Sequence, residues 1–208
     1  MDGNPDRRQV RRQETVAEIL AAAVRLMAQD GVAGLSLSAV ARAVGMRPPS
    51  LYVYFPSKMA LYDALFARGA AELHDAVRSA AVLAGDDAGP LAGLTAGAHA
   101  YVDWCMRNPV TAQLLNWRPV PGFEPSREAF APSAAMVMDT RAQIDLAVQH
   151  GRLAPAAATD DSVLLFTSVI AGVVSQQLAN EPQAPPGQGR YTRLLDPALD
   201  MWLAHHAP

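Results

Sequence analysis

Residues 31–61 read GVAGLSLSAVARAVGMRPPSLYVYFPSKMAL, and the fold turns on how this stretch is punctuated. Ser36 stands just before a short apolar pattern of helical spacing, Leu37, Val40, Ala41 and Val44. Serine is a favoured N-cap because its oxygen accepts an orphan amide hydrogen. No Glu or Gln occupies the third helical position, so the reciprocal capping box is absent. Gly45 breaks the pattern at once. A second short segment runs from Pro48 to Phe55, with Pro48 or Pro49 in a first turn where a missing N–H costs little. Pro56-Ser57 interrupts again, and Ser57 caps a long helix predicted from Lys58 to about Leu83. Helix, glycine turn, short helix is the outline of a helix-turn-helix.

Working outward, Val16, Ile19, Leu20, Ala23 and Met27 form one apolar stripe, which predicts a helix closed by Gly31. The polar arm before it, to about Arg12, is expected to be loose. Downstream, Gly85-Asp86-Asp87 and Gly89-Pro90 mark a loop, and Asn108-Pro109 breaks the helical pattern of Leu91 to about Arg107. A short helix over Val110 to Trp117 precedes a proline-rich loop over 118–125. A long helix from about Ser126 to His150 ends at Gly151. Thr159 with Asp160 and Asp161 opens another, acidic where the helix dipole favours negative charge, and it runs to about Asn180. Pro182 to Gly189 is a loop, and Tyr191 to His205 a last helix distorted near Pro197. The fold expected is all-α, with no internal repeat.

Half of the 208 residues are hydrophobic, enough for a substantial core. The net charge of −3 is unevenly spread. Residues 1–58 hold eight Arg/Lys against five Asp/Glu, net +3, and the remainder nine against fifteen, net −6. A basic head on an acidic body suits an anionic partner. No uncharged apolar run of membrane-spanning length and no signal-type segment stands out, so no membrane and a cytoplasmic setting are expected. One cysteine, Cys105, leaves no internal disulfide; flanked by apolar residues, it reads as an inert thiol. There is no P-loop, no G-x-G-x-x-G and no metal-spaced His/Cys cluster, His205-His206 being an isolated pair. No cofactor is expected, and an enzyme finds little support.

The ordered landmarks Gly31, Ser36, Val40-Ala41, Gly45, Leu51-Tyr52, Phe55, Ser57-Lys58 and Leu61 resemble the DNA-binding signature of the tetracycline-repressor-like (TetR) family. The resemblance covers roughly the first third of the chain. One departure is Arg47, followed by two prolines, where the family often opens its recognition helix with a small polar residue. The resemblance implies a helix-turn-helix head over 1–60 and a ligand-binding and dimerisation body over 61–208. It places Pro48–Tyr54 in the major groove, with Arg47, Pro48, Ser50, Val53 and Tyr54 toward the bases and Leu51 and Phe55 inward. Ser36, Tyr52 and Lys58 match phosphate-contact positions, and Arg42 adds a candidate. Arg7, Arg8, Arg11 and Arg12 follow the DNA or form a basic tail.

The same resemblance implies an effector pocket in the body. Trp104, Asn108, Trp117 and Thr167 are the candidate contacts, with plain core packing the alternative for each. It also implies a homodimer through the helix from Thr159, with Ser168, Ala171, Gly172 and Ser175 for close approach. Ile170, Val173, Val174, Leu178, Leu194, Leu195, Leu199, Trp202 and Leu203 would supply apolar area. The function expected is a ligand-responsive repressor of a palindromic double-stranded DNA operator, released by a small apolar or aromatic effector. The rival is a helical small-molecule-binding protein or enzyme without specific DNA binding.

Overall fold

The computed structural model describes residues 5–185 and 187–208, and among these every regular element is helical. The helices are α1 (Pro5–Asp30), α2 (Leu37–Ala43), α3 (Pro48–Leu51), α4 (Lys58–Ala88), α5 (Pro90–Arg107), α6 (Pro109–Asn116), α7 (Arg127–Gln149), α8 (Asp160–Asn180) and α9 (Leu195–His205). Short 3₁₀ turns at Val32–Gly34, Pro155–Ala158 and Thr192–Leu194 lead into α2, α8 and α9.

Three serine and threonine caps expected from the chain alone form as hydrogen bonds. Ser57 accepts from the Ala60 amide, Ser126 from that of Ala129, and Thr159 from that of Ser162. Ser36 differs. It occupies the N-cap position of α2, but its side chain caps nothing; its Oγ lies 2.9 Å from Ser38 Oγ instead.

Other boundaries are also corrected. The arm expected to be loose is helical from Pro5, so α1 gains two turns of exposed arginine and glutamine; both residue types propagate helix well, and Pro5 stands at its first position. Residues 1–4 of that arm lie outside the described residues. The helix expected to end near Leu83 continues through 85–87 to Ala88, so no loop forms at Gly85-Asp86-Asp87. The break is Gly89 alone, at φ 90°, with Pro90 opening α5. Tyr191 does not begin a helix; the 3₁₀ turn at Thr192–Leu194 intervenes, which places Pro197 inside the first turn of α9, where its missing N–H is harmless.

Two clusters of buried side chains hold the molecule together. The first joins Ile19, Met27, Val40, Leu51 and Phe55 to Leu61, Tyr62, Leu65 and Phe66 of α4, and continues to Val120, Phe123 and Ala129. The second lies among α4, α5, α7, α8 and α9, around Leu94, Val102, Ile144, Phe166, Val174 and Trp202. Helix α4 therefore passes through both. It packs most extensively on α5 and α7, with His74 and Asp139 paired across α4 and α7 at 2.7 Å.

Helix α8 is long and apolar enough, by length and composition, to span a membrane. Its position explains that composition: Val163, Phe166, Ile170, Val174 and Leu178 are buried, and Leu164 and Leu165 are exposed on the other side. Five residues assigned to a dimer surface from the sequence, Ile170, Val174, Leu195, Leu199 and Trp202, instead face inward within one chain, and Leu178 with them. A helix apolar on every side carries no periodic signal to say which side turns inward.

The C-terminus closes on α8. Ser162 Oγ and His206 Nε2 lie 2.6 Å apart in a buried pair, and the His206 carbonyl accepts from the Ala154 amide at 2.8 Å. Burial holds the His206 imidazole below its ordinary value of 6.5, and the neighbouring His205 adds to the shift. The unfolded chain binds this proton at the ordinary value and the folded chain resists it. His206 thus costs nothing at pH values well above 6.5, and stability falls as pH drops from there toward the depressed folded value. The melting temperature is expected to fall between pH 7.5 and 5.5, and by less in His206→Gln. An equal fall in both proteins would remove His206 as a cause.

Candidate nucleic-acid interface and ligand cavity

Helices α2 and α3 are joined by the turn 44–47. Gly45 sits at φ 69°, a left-handed conformation that glycine adopts without Cβ strain, and the Met46 amide reaches back to the Ala41 carbonyl at 2.8 Å. Arg47 is the N-cap of α3 at φ −73°, ψ 141°, the extended conformation imposed on a residue preceding proline. Arginine has no acceptor with which to cap. It needs none here, because Pro48 and Pro49 present no N–H groups in the first turn. The Arg47 side chain is left exposed and free.

The α-helical part of α3 is a single turn, ending at Leu51. Residues 52–54 continue as turn, with the Tyr54 and Phe55 amides both donating to the Leu51 carbonyl at 2.9 Å. Leu51 and Phe55 are buried as expected. Arg42, Arg47, Pro48, Ser50, Tyr52 and Val53 are exposed, as is Ser36 at the start of α2. Tyr52 and Val53 are 51% and 68% exposed, unusual for large apolar side chains within a packed head and therefore suited to contact with a partner.

Two expected contacts are placed differently. Tyr54 is half-buried against the head cluster, and the Arg12 guanidinium lies 5.3 Å from its ring centroid. The helical extension of α1 is thereby held beside the helix-turn-helix. Lys58 is also engaged. Its Nζ donates to the Ala33 carbonyl at 2.9 Å and lies 5.6 Å from the centroid of the Tyr62 ring. Tyr62, fully buried, donates its hydroxyl to the Val32 carbonyl at 2.5 Å. The first turn of α4 therefore grips the turn that precedes α2, across 25 and 30 residues of chain.

A cavity of about 300 Å³ lies in the body. Its walls come from α4 (Leu73, Val77, Ala81), α5 (Gly93 to Tyr101), α6 (Leu115, Asn116), α7 (Phe130 to Gln143) and α8 (Phe166 to Ala171). Of the four residues expected to meet a ligand, Thr167 lines it. Trp104, Asn108 and Trp117 do not. Trp104 is buried in the second cluster, and the Asn108 amide folds back onto the Trp104 carbonyl at 3.0 Å. Trp117 borders a smaller neighbouring cleft that shares Leu115, Asn116 and Phe130 with the cavity. Sequence reasoning missed Tyr101, whose hydroxyl donates to Asn116 Oδ1 at 2.5 Å, and Gln143. The available signal was Thr140 and Gln143, polar residues on the stripe of α7 that also carries Met136 and Ala147. Cys105 is wholly buried, and burial pushes its thiol up to about 12, which suits an inert core position.

A helix-turn-helix with an exposed cationic and aromatic face, mounted on an all-helical body, defines a class of regulatory protein. The family model for bacterial regulatory proteins of the tetR family matches residues 19–65, and that for the tetracyclin repressor-like C-terminal domain matches residues 94–200. The chain belongs to the TetR family of transcriptional regulators. It is 37% identical over 92 residues to the HTH-type transcriptional regulator YobS of Bacillus subtilis, covering 44% of this chain and 46% of that protein. It is 32% identical over 132 residues to the regulator Rv1816 of Mycobacterium tuberculosis, covering 61% of this chain and 54% of that one. The matched stretch thus spans about half the length of these relatives, all of them regulators and none an enzyme. Among solved structures, the regulatory protein SCO4313 aligns over 94% of this chain and 98% of its own at a TM-score of 0.72 and 28% identity. FadR of Bacillus subtilis, in complex with stearoyl-CoA, shares the fold at a TM-score of 0.71 and 14% identity, covering 90% and 97%.

Proposed function

We propose that this protein is a homodimeric repressor that binds a palindromic double-stranded DNA operator and is released from it by a small, largely apolar effector. Residues 1–60 serve as the DNA-binding head and 61–208 as the ligand-binding and dimerisation body. One observation carries the proposal. Helix α4 is unbroken over 31 residues, grips the head at its first turn through Lys58 and Tyr62, and lines the cavity at Leu73, Val77 and Ala81. A ligand that favours one tilt of α4 changes the spacing of two heads. Half-sites on one DNA face lie about 34–36 Å apart per helical turn, so a modest tilt spoils the match.

Dimerisation is assigned to the exposed side of α8 and α9. Leu164, Leu165, Ser168, Gly172, Leu194 and Met201 are exposed there, Met201 at 76%. A second copy covering this face would remove that apolar area from water. FadR, of the same fold, holds a long acyl chain, and the apolar walls of this cavity suit a ligand with a similar chain.

On the DNA, Arg47, Ser50, Val53 and Pro48 face the bases, and Ser36, Arg42, Tyr52 and Lys58 the phosphates, with Tyr54 and Arg12 bracing the surface from the side. Arg47→Ala is expected to relax preference at one base position, at a cost of roughly 1–3 kcal/mol. Lys58→Ala is expected to weaken binding on all sequences and to flatten the salt dependence by about one unit of slope. An unchanged slope with an earlier-melting head would mean that Lys58 acts through Ala33 alone. The test of the whole is selection of bound fragments from sheared genomic DNA. Enrichment of a few fragments sharing a palindrome is the expected result, and none at low salt would refute operator binding.

A further inference from the structure

Among the described residues, the wall of the cavity carries no acidic or basic side chain; its polar groups are hydroxyls and amides. Most of these are already satisfied within the chain. Tyr101 donates to Asn116 Oδ1, Asn116 Nδ2 to the Ala112 carbonyl at 3.0 Å, Thr140 Oγ1 to the Met136 carbonyl at 2.9 Å and Thr167 Oγ1 to that of Leu164 at 3.0 Å. Gln143 is the exception. Its Oε1 is buried and has no hydrogen-bond partner. A buried acceptor without a donor is costly to the folded chain, and a ligand that supplies the donor recovers that cost.

The place of this oxygen is defined by the crossing of α4 and α5. A Cβ added at Gly93 would stand 2.8 Å from the Ala81 carbonyl and 2.9 Å from Gln143 Oε1, so only glycine lets the two helices and the amide meet. Eight residues along α5, Tyr101 lines the other end of the cavity, which at helical rise is about 12 Å away. Leu73, Val77, Leu94 and Phe166 supply the apolar wall between. The space is therefore elongated, apolar along its length, and equipped at one end with an unused acceptor.

We propose that the cavity takes an elongated, uncharged molecule with an apolar chain and a hydrogen-bond donor at one end, an alcohol or an amide, whose hydrogen is accepted by Gln143 Oε1. This rests on the cavity being the effector site. A carboxylate, phosphate or quaternary ammonium head meets no counter-charge among these walls and keeps its desolvation cost.

The test uses the full-length protein and four ten-carbon-scale probes: 1-decanol, methyl nonyl ether, decanoate and decyltrimethylammonium. Binding is read by calorimetry and by thermal shift, and release of operator DNA is read separately. The alcohol is expected to bind roughly tenfold or more tightly than the ether, which lacks only the donor, and the two ions not measurably. In Gln143→Leu the preference for the alcohol disappears and the ether binds at least as well as before, a gain that a misfolded variant would not show. Preference for either ion, discrimination that survives in Gln143→Leu, or no binding by any probe overturns the proposal. Discrimination that depends on Gln143 without release of DNA would uphold this ligand assignment and strike the regulatory role of the cavity instead.

Discussion

Trp202→Ala is expected to lower stability by about 3–5 kcal/mol, the range for emptying a large aromatic site in a core. Trp202 is 3% exposed, meets the Phe166 ring edge-on at a centroid distance of 5.0 Å and that of His206 at 4.5 Å, and donates its indole N–H to the Ser162 carbonyl at 3.2 Å. Alanine forfeits both ring contacts and leaves that carbonyl without its donor. At roughly 2–4 °C per kcal/mol for a chain of this size, the melting temperature should fall by about 10 °C or more. The functional consequence is indirect. Trp202 is the anchor of α9 on α8, and α9 presents Leu194 and Met201 to the proposed partner. Undocking α9 is expected to yield monomers that no longer hold a palindrome, although the helix-turn-helix lies in the other cluster and keeps its own core. Sedimentation and DNA binding measured on the same sample check this. A variant that melts normally, or that stays dimeric while melting early, contradicts the anchoring role. Trp202→Phe, which refills most of the volume, should recover most of the loss.

Gln177→Leu is expected to cost about 3 kcal/mol, because it strands three backbone groups at once. Gln177 is 1% exposed. Its Oε1 accepts from the Tyr191 amide at 2.9 Å and the Thr192 amide at 3.2 Å, and its Nε2 donates to the Glu181 carbonyl at 2.8 Å. One turn later, Glu181 takes the Arg190 amide at 2.8 Å and pairs with the Arg190 guanidinium at 3.3 Å. These two side chains of α8 receive the chain as it returns toward α9. Leucine matches glutamine in bulk, so the loss comes from unpaired amides and not from a void. Amide hydrogen exchange at 191 and 192 should accelerate well beyond the global change. Unchanged protection at those amides would show that the segment is held by other means. Glu181→Gln keeps an acceptor for the Arg190 amide and should cost far less, since that side chain is exposed to screening water.

How much of this protein is legible in its sequence varies by kind of interaction. The helix-turn-helix was readable because each of its signals acts over a few residues: Ser57 on the Ala60 amide, the left-handed Gly45, and the two prolines that spare α3 a cap. The starts of α7 and α8 were readable for the same reason, through Ser126 and Thr159. The inward turn of Leu51 and Phe55 followed from their spacing of four. Local chemistry also misled once. Ser36 has the identity and position of a cap, yet its hydroxyl found Ser38 nearer to hand.

What escaped the sequence depends on which helix lies beside which. Lys58 reads as a lysine at a helix start; that it holds the Ala33 carbonyl follows only from α4 lying against the turn before α2. The N-terminal arm reads as a polar tail until Arg12 is seen over Tyr54. Helix α8 is apolar on all sides, so only its packing on α5, α7 and α9 separates the inward Val174 and Leu178 from the outward Leu164 and Leu165. The cavity is the extreme case: its walls come from five helices, and neither Trp104 nor Trp117, the aromatic residues favoured from the sequence, is among them. The sequence by itself determined where each helix begins and ends near its caps, and which short segment forms the helix-turn-helix, because backbone hydrogen bonds within four residues settle those questions. Tertiary structure alone decided the cavity, the free acceptor of Gln143 and the face left for a partner, because each depends on distances between helices set by contacts far apart along the chain.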